Sequence, residues 1–76
     1  PMAGMGQEDI KRISDLIRRV AKNRTVLMVE HNLSVVADLS DRITVLARGE
    51  ILAEGSYAEV SRNSQVIEAY MGTGHE

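Results

Sequence analysis

The stretch T-V-L-M-V-E-H-N-L, residues 25–33, decides how the rest of the chain is read. Its first five residues form an apolar run, rich in β-branched side chains, with no charged interruption. That composition suits a strand buried on both faces, as in the interior of a parallel sheet. Glu30, His31 and Asn32 follow at once, three polar side chains in a row. In open α/β sheets, ligands lie beyond the carboxyl ends of the strands, so His31 stands where a ligand can be touched.

Upstream of this run, residues 1–6 read as a glycine-containing lead. From Gln7 the pattern turns helical, with Ile10, Ile13, Leu16, Ile17 and Val20 on one face. Glu8 and Asp9 open that helix and basic residues close it, as the helix dipole favours. Asn23 can end it in a left-handed conformation. Downstream, Asn32 can cap a short helix from Leu33 to Leu39, with Val35, Val36 and Leu39 available for burial. Residues 42–47 then form a second strand, so strand, helix and strand predict a right-handed βαβ crossover. Arg48-Gly49 separates I-T-V-L-A from E-I-L-A-E and predicts a hairpin ending at Gly55. Ser56 and Glu59 have capping-box spacing, which starts a short helix. Asn63 or Ser64 can cap a last helix that Gly72 stops, and residues 73–76 are expected to be a disordered tail.

Composition narrows the chemistry. The 76 residues hold no cysteine and two histidines, His31 and His75, so thiolate metal sites are excluded and a zinc centre is disfavoured. Two tyrosines are the whole aromatic content, which argues against stacking platforms for nucleic acid. Six bases and one acid fall in residues 11–24, although the formal net charge is −2. We read those bases as a solvated helix face favoured at the helix carboxyl end. No stretch approaches the ~20 apolar residues that span a bilayer, and no signal peptide is visible. The opening P-M-A-G-M-G resembles the middle of a loop, so the chain is expected to be a piece of a longer protein.

The order of motifs carries a family resemblance. P-M-A-G-M-G, an amphipathic helix, T-V-L-M-V-E-H-N-L, I-T-V-L-A-R-G-E-I-L-A-E-G and V-I-E-A-Y-M-G together resemble the carboxyl-terminal part of an ABC-transporter ATP-binding subunit. Within that family the chain is most similar to subunits that drive branched-chain amino-acid import. The resemblance implies an α/β, partial P-loop NTPase-like fold over residues 1–76: helix, strand, short helix, β-hairpin and two short C-terminal helices. It implies that Ala3, Gly4, Met5 and Gly6 are the D-loop, which meets a second ATP-binding subunit; Gly6 stands where many relatives have aspartate. It implies that His31 is the switch histidine that contacts the γ-phosphate. Phosphoryl transfer needs positioned donors around the terminal phosphate, and an imidazole at a strand end can supply one. The residues alone also allow a structural His31 satisfied by local backbone.

Alternation along a strand points Glu30 away from His31, so Glu30 reads as solvated or ion-paired. Met2, Met5, Met28 and Met71 read as packing residues, Tyr57 and Tyr70 as partly buried anchors, and His75 as tail. The phosphate-cradling G-x-x-x-x-G-K-[ST] motif does not occur in these residues, nor do the Q-loop, the signature motif and the Walker B strand. The resemblance thus implies ATP, Mg2+ and a membrane permease for the whole subunit, on the cytoplasmic face of the membrane. The chain alone is expected not to bind or hydrolyse ATP, to hold no metal and to self-associate through the apolar run. Two alternatives stand beside this: a stand-alone, non-enzymatic α/β module for oligomerisation or protein binding, and an export ATPase for lipid or lipopolysaccharide.

Overall fold

The computed structural model describes residues 2–71, leaving aside the side chain of Met71, and groups the chain into two compact units, Pro1–Leu39 and Ser40–Glu76. Residues 73–76, expected to be tail, lie outside the described residues, as does His75.

The first unit is helical. The helix α1 spans Gln7–Ala21, with Glu8 and Asp9 in its first turn and Arg18 and Arg19 in its last, as the dipole requires. Its outer surface is laced by exposed ion pairs one turn apart: Asp9–Arg12 and Lys11–Asp15 at 3.0 Å, and Asp15–Arg18 at 3.3 Å. The Lys11 ammonium, hydrogen-bonded to Asp15, holds that carboxyl below its usual range. The second helix, α2, spans Leu33–Leu39 and packs against α1, and Arg18 donates to Asp38 across the pair. Val35 is buried, and Val36 and Leu39 are half-buried, as their spacing predicts.

Three expectations for this unit are corrected. Residues 25–30 form no strand; they belong to no ladder, and no βαβ crossover is present among the described residues. Leu27 is 94% exposed and Val29 81% exposed, where the sequence predicted burial on both faces. A doubly buried strand requires neighbours along both edges and cover on both faces, and the described residues supply neither. Next, the apolar stripe of α1 is only partly covered. Ile10 and Ile17 are half-buried, whereas Ile13, Leu16 and Val20 are exposed, and Ser14 is the buried residue of the helix. Finally, Asn23 does not take a left-handed conformation, since Arg48 is the non-glycine residue with positive φ among those described. The helix instead closes through right-handed Lys22, whose N–H donates to the Arg19 carbonyl, and through Asn23, whose N–H donates to the Val20 carbonyl, in the tightened geometry common at helix ends.

The second unit is built on an antiparallel hairpin of β1, Ile43–Ala47, and β2, Glu50–Gly55. Arg48 and Gly49 connect them with φ of +52° and +78°, the double positive φ of a type I′ turn, whose twist matches that of the strands. The register slips between Val45 and Leu46: Val45 faces Ala53 while Leu46 faces Ile51. Leu52 is therefore an extra residue, a bulge in β2, and it lets Leu52 and Ala53 both be half-buried. On the outer face Thr44 and Arg42 both bind Glu54, and these two interactions hold its carboxyl below the usual range, the Thr44 hydrogen bond most strongly.

Two short helices follow, α3 at Tyr57–Val60 and α4 at Ser64–Val66, the latter running into a π-helical turn at Ile67–Met71. The capping box ahead of α3 is complete: Glu59 N–H donates to Ser56 Oγ at 3.2 Å, and Ser56 N–H donates to Glu59 Oε1 at 2.9 Å. Asn63 Oδ1 accepts from Gln65 and Val66 N–H at 2.9 and 3.2 Å and so caps α4. Val60 and Val66 are buried as these helices pack on the hairpin, and the Tyr70 hydroxyl donates to the Leu46 carbonyl.

Gly55 makes the close approach of hairpin and cap possible. Its φ is +151°, and a Cβ there would stand 2.6 Å from Glu59 Oε1 and 3.2 Å from Cδ. Gly55→Ala is expected to destabilise this unit by about 1–3 kcal/mol, read as a lower urea midpoint. The cap also has a pH signature. The Ser56 N–H and then its hydroxyl hold the Glu59 carboxyl below the usual range. With a folded-state value below the unfolded one, the cap is at full strength above the usual glutamate range of about pH 4–5 and fades as pH falls through the lower folded value. Exchange of the Ser56 amide, corrected for its intrinsic rate, is expected to accelerate across that window, and Glu59→Gln to remove the dependence.

Candidate functional site

The residues that the sequence singled out lie on two loops of the first unit. At the first loop, Met2 is buried and its carbonyl accepts from Met5 N–H at 3.3 Å, closing a turn over residues 2–5. Gly4 occupies that turn with φ of +79°, a conformation that costs an L-residue roughly 1 kcal/mol or more. Ala3, Gly4 and Gly6 are exposed and Met5 is half-buried. Gly6 is the N-cap of α1 without a side chain to cap it, and its carbonyl accepts the first helical bond from Ile10 at 3.0 Å.

The second loop is built from Glu30, His31 and Asn32. Asn32 ends the irregular segment: its Oδ1 accepts from Ser34 N–H at 3.0 Å and Val35 N–H at 3.3 Å, and its carbonyl accepts from Val36. The first donors of α2 are thereby committed to the helix's own cap and are not presented to a ligand. His31 precedes this cap and is exposed, so its imidazole is reachable from solvent. The strand end at which the sequence placed His31 is not formed, since residues 25–30 belong to no strand.

The two loops are joined. The Met2 N–H donates to the Glu30 carboxylate, at 3.3 Å from Oε2 and 3.4 Å from Oε1. The bond places the residue ahead of the Ala3–Gly6 turn beside the residue ahead of His31, across 28 positions of sequence. The sequence reads Glu30 as solvated or ion-paired, and no residue type signals its bond to Met2, because the donor is a backbone amide. Glu30 is half-buried. Among the described residues there is no cluster of three or more His, Cys, Asp or Glu that could hold a metal ion. No helix of the described residues is long and apolar enough to cross a membrane. Tyr57 is half-buried, as its anchoring role predicts, whereas Tyr70, expected to be partly buried, is exposed and is tied to the hairpin by its hydroxyl.

Comparison with known proteins gives the chain its relatives. The family profile described as branched-chain amino acid ATP-binding cassette transporter matches residues 50–76. The chain is 38% identical over 74 residues to the high-affinity branched-chain amino acid transport ATP-binding protein LivG of Salmonella typhimurium, covering 95% of this chain and 29% of that protein. Over the same shares it is 36% identical to LivG of Escherichia coli and 35% identical to BraF of Pseudomonas aeruginosa. The chain thus spans less than a third of the length of these relatives. No solved structure matches it.

Asn32→Ala is expected to leave the amides of Ser34 and Val35 without their acceptor and to cost about 1 kcal/mol. The check is faster hydrogen exchange in α2, with exchange in the Ile43–Ala47 strand unchanged.

Proposed function

Because this chain belongs to the family of ABC-transporter ATP-binding subunits, we propose that the protein carrying it hydrolyses ATP to power import of branched-chain amino acids through a membrane permease. The observation that carries this reading is the match over 95% of the chain to relatives named for branched-chain amino acid transport. In this reading ATP and Mg2+ are bound chiefly by parts of the protein outside these residues, since the phosphate-cradling G-x-x-x-x-G-K-[ST] motif does not occur in them. The chain contributes two elements. His31, exposed and lying just ahead of the Asn32 cap, donates a hydrogen bond to a γ-phosphate oxygen as charge redistributes in phosphoryl transfer. Ala3, Gly4, Met5 and Gly6 present a turn to a second ATP-binding subunit, and a loop with three exposed small residues suits close backbone approach. The subunit works on the cytoplasmic face of the membrane, held there by the permease.

The same reading accounts for the uncovered apolar surface. Residues 25–30 become a central strand of a P-loop NTPase-like sheet when the remainder of the protein supplies its neighbours, and the exposed face of α1 at Ile13, Leu16 and Val20 is covered in the same way. By itself, the chain exposes Leu27 and Val29 and is prone to pair with further copies.

Two outcomes are expected. In the full-length protein, His31→Ala lowers the ATP hydrolysis rate about a hundredfold or more while nucleotide binding is kept; wild-type turnover in the variant would refute the role of His31. For the 76-residue chain, light scattering over a tenfold dilution is expected to give a mass above that of one chain at the higher concentration, and Leu27→Lys to lower it.

A further inference from the structure

We propose that Glu30 is a positioning residue, its carboxylate holding the Met2 backbone N–H so that the turn at residues 3–6 and His31 are set as one piece. The inference rests on the ATPase reading for its consequence in hydrolysis, but the link itself rests on geometry. The bond spans 28 positions and is made by both carboxylate oxygens within 3.4 Å. It involves a buried residue at one end and a half-buried one at the other, so water competes less for it than at an exposed site. The Met2 end carries a further bond, and the Glu30 end lies close to an anchored residue. Met2 also accepts from Met5, which closes the Gly4 turn, and Glu30 is two residues from Asn32, which is tied to α2 by three hydrogen bonds.

Consequently a displacement of His31 along its loop is transmitted to the turn that begins at Ala3, and a displacement of that turn is returned to His31. In an ATPase whose turn meets a second subunit and whose histidine meets the terminal phosphate, this carboxylate lets subunit closure and phosphate contact report on each other. Aspartate at position 30 would be one methylene short of the amide, and glutamine would keep an acceptor oxygen for it.

The test compares Glu30→Ala and Glu30→Gln in the full-length protein by two independent readouts. Hydrogen exchange is expected to be about tenfold faster or more at residues 2–6 in the alanine variant and close to wild type in the glutamine variant, with α3 and the hairpin unchanged in both. Hydrolysis in the alanine variant is expected to fall about tenfold in kcat with KM within twofold, and to recover within about threefold in the glutamine variant, the split expected when positioning and not nucleotide binding is lost. Unchanged exchange at residues 2–6 in the alanine variant, or a glutamine variant as impaired as alanine, would overturn the inference. A wild-type protein that binds ATP at no concentration would overturn the ATPase reading instead, and the exchange comparison would then decide the Glu30 link by itself.

Discussion

Every backbone N–H and C=O must find a partner, and the chain meets that demand in very different ways along its length. Helices α1 and α2 satisfy their own bonds, and β1 and β2 satisfy each other's. Residues 25–30 have no strand beside them among the described residues, so their polar backbone turns to water and their apolar side chains are left uncovered. The exposures of Leu27 and Val29 follow from that constraint, whereas the α1 stripe is exposed because the described residues lay too little apolar surface over it. A face built to be buried stays uncovered unless partner segments are present, however favourable its composition.

Local chemistry was legible in the sequence and non-local chemistry was not. The Ser56–Glu59 box, the Asn32 and Asn63 caps and the Arg48-Gly49 turn each depend on residues within four positions of one another, and each formed as its spacing predicts. The strand at 25–30 failed because burial on two faces depends on chain far from the run itself. Asn23 failed for a smaller reason: right-handed closure through Lys22 satisfies the last carbonyls without a left-handed residue. At the candidate site, His31 and the Ala3–Gly6 turn were named from motif order, while the Glu30 bond between them went unseen. A side chain that binds a backbone amide leaves no mark on the partner's residue type.

Charge in this chain does its structural work at short range. Glu54 is held by Thr44 and Arg42 on one face of the hairpin, Glu59 by the Ser56 cap, and Asp15 by Lys11 on the surface of α1. All three carboxyls are held below their ordinary range by direct hydrogen bonds first and by neighbouring positive charge after them. The basic cluster of residues 11–24 follows the same rule, with Lys11, Arg12 and Arg18 each engaged by an aspartate on the helix or on α2. These pairs agree with the reading of that face of the helix as a solvated surface.

The extra residue in β2 has a consequence for how sequences of this kind can vary. Leu52 lies between two stretches of regular pairing, so the strand carries one residue of slack. Losing it would bring Ala53 into step with its neighbours without moving the Arg48-Gly49 turn or the Gly55 junction out of the hairpin. Gaining a residue at the same point would lengthen a distortion that already exists. Single-residue length changes among related chains are therefore best absorbed at the middle of β2, a place where an aligned gap would ordinarily be read as a broken strand.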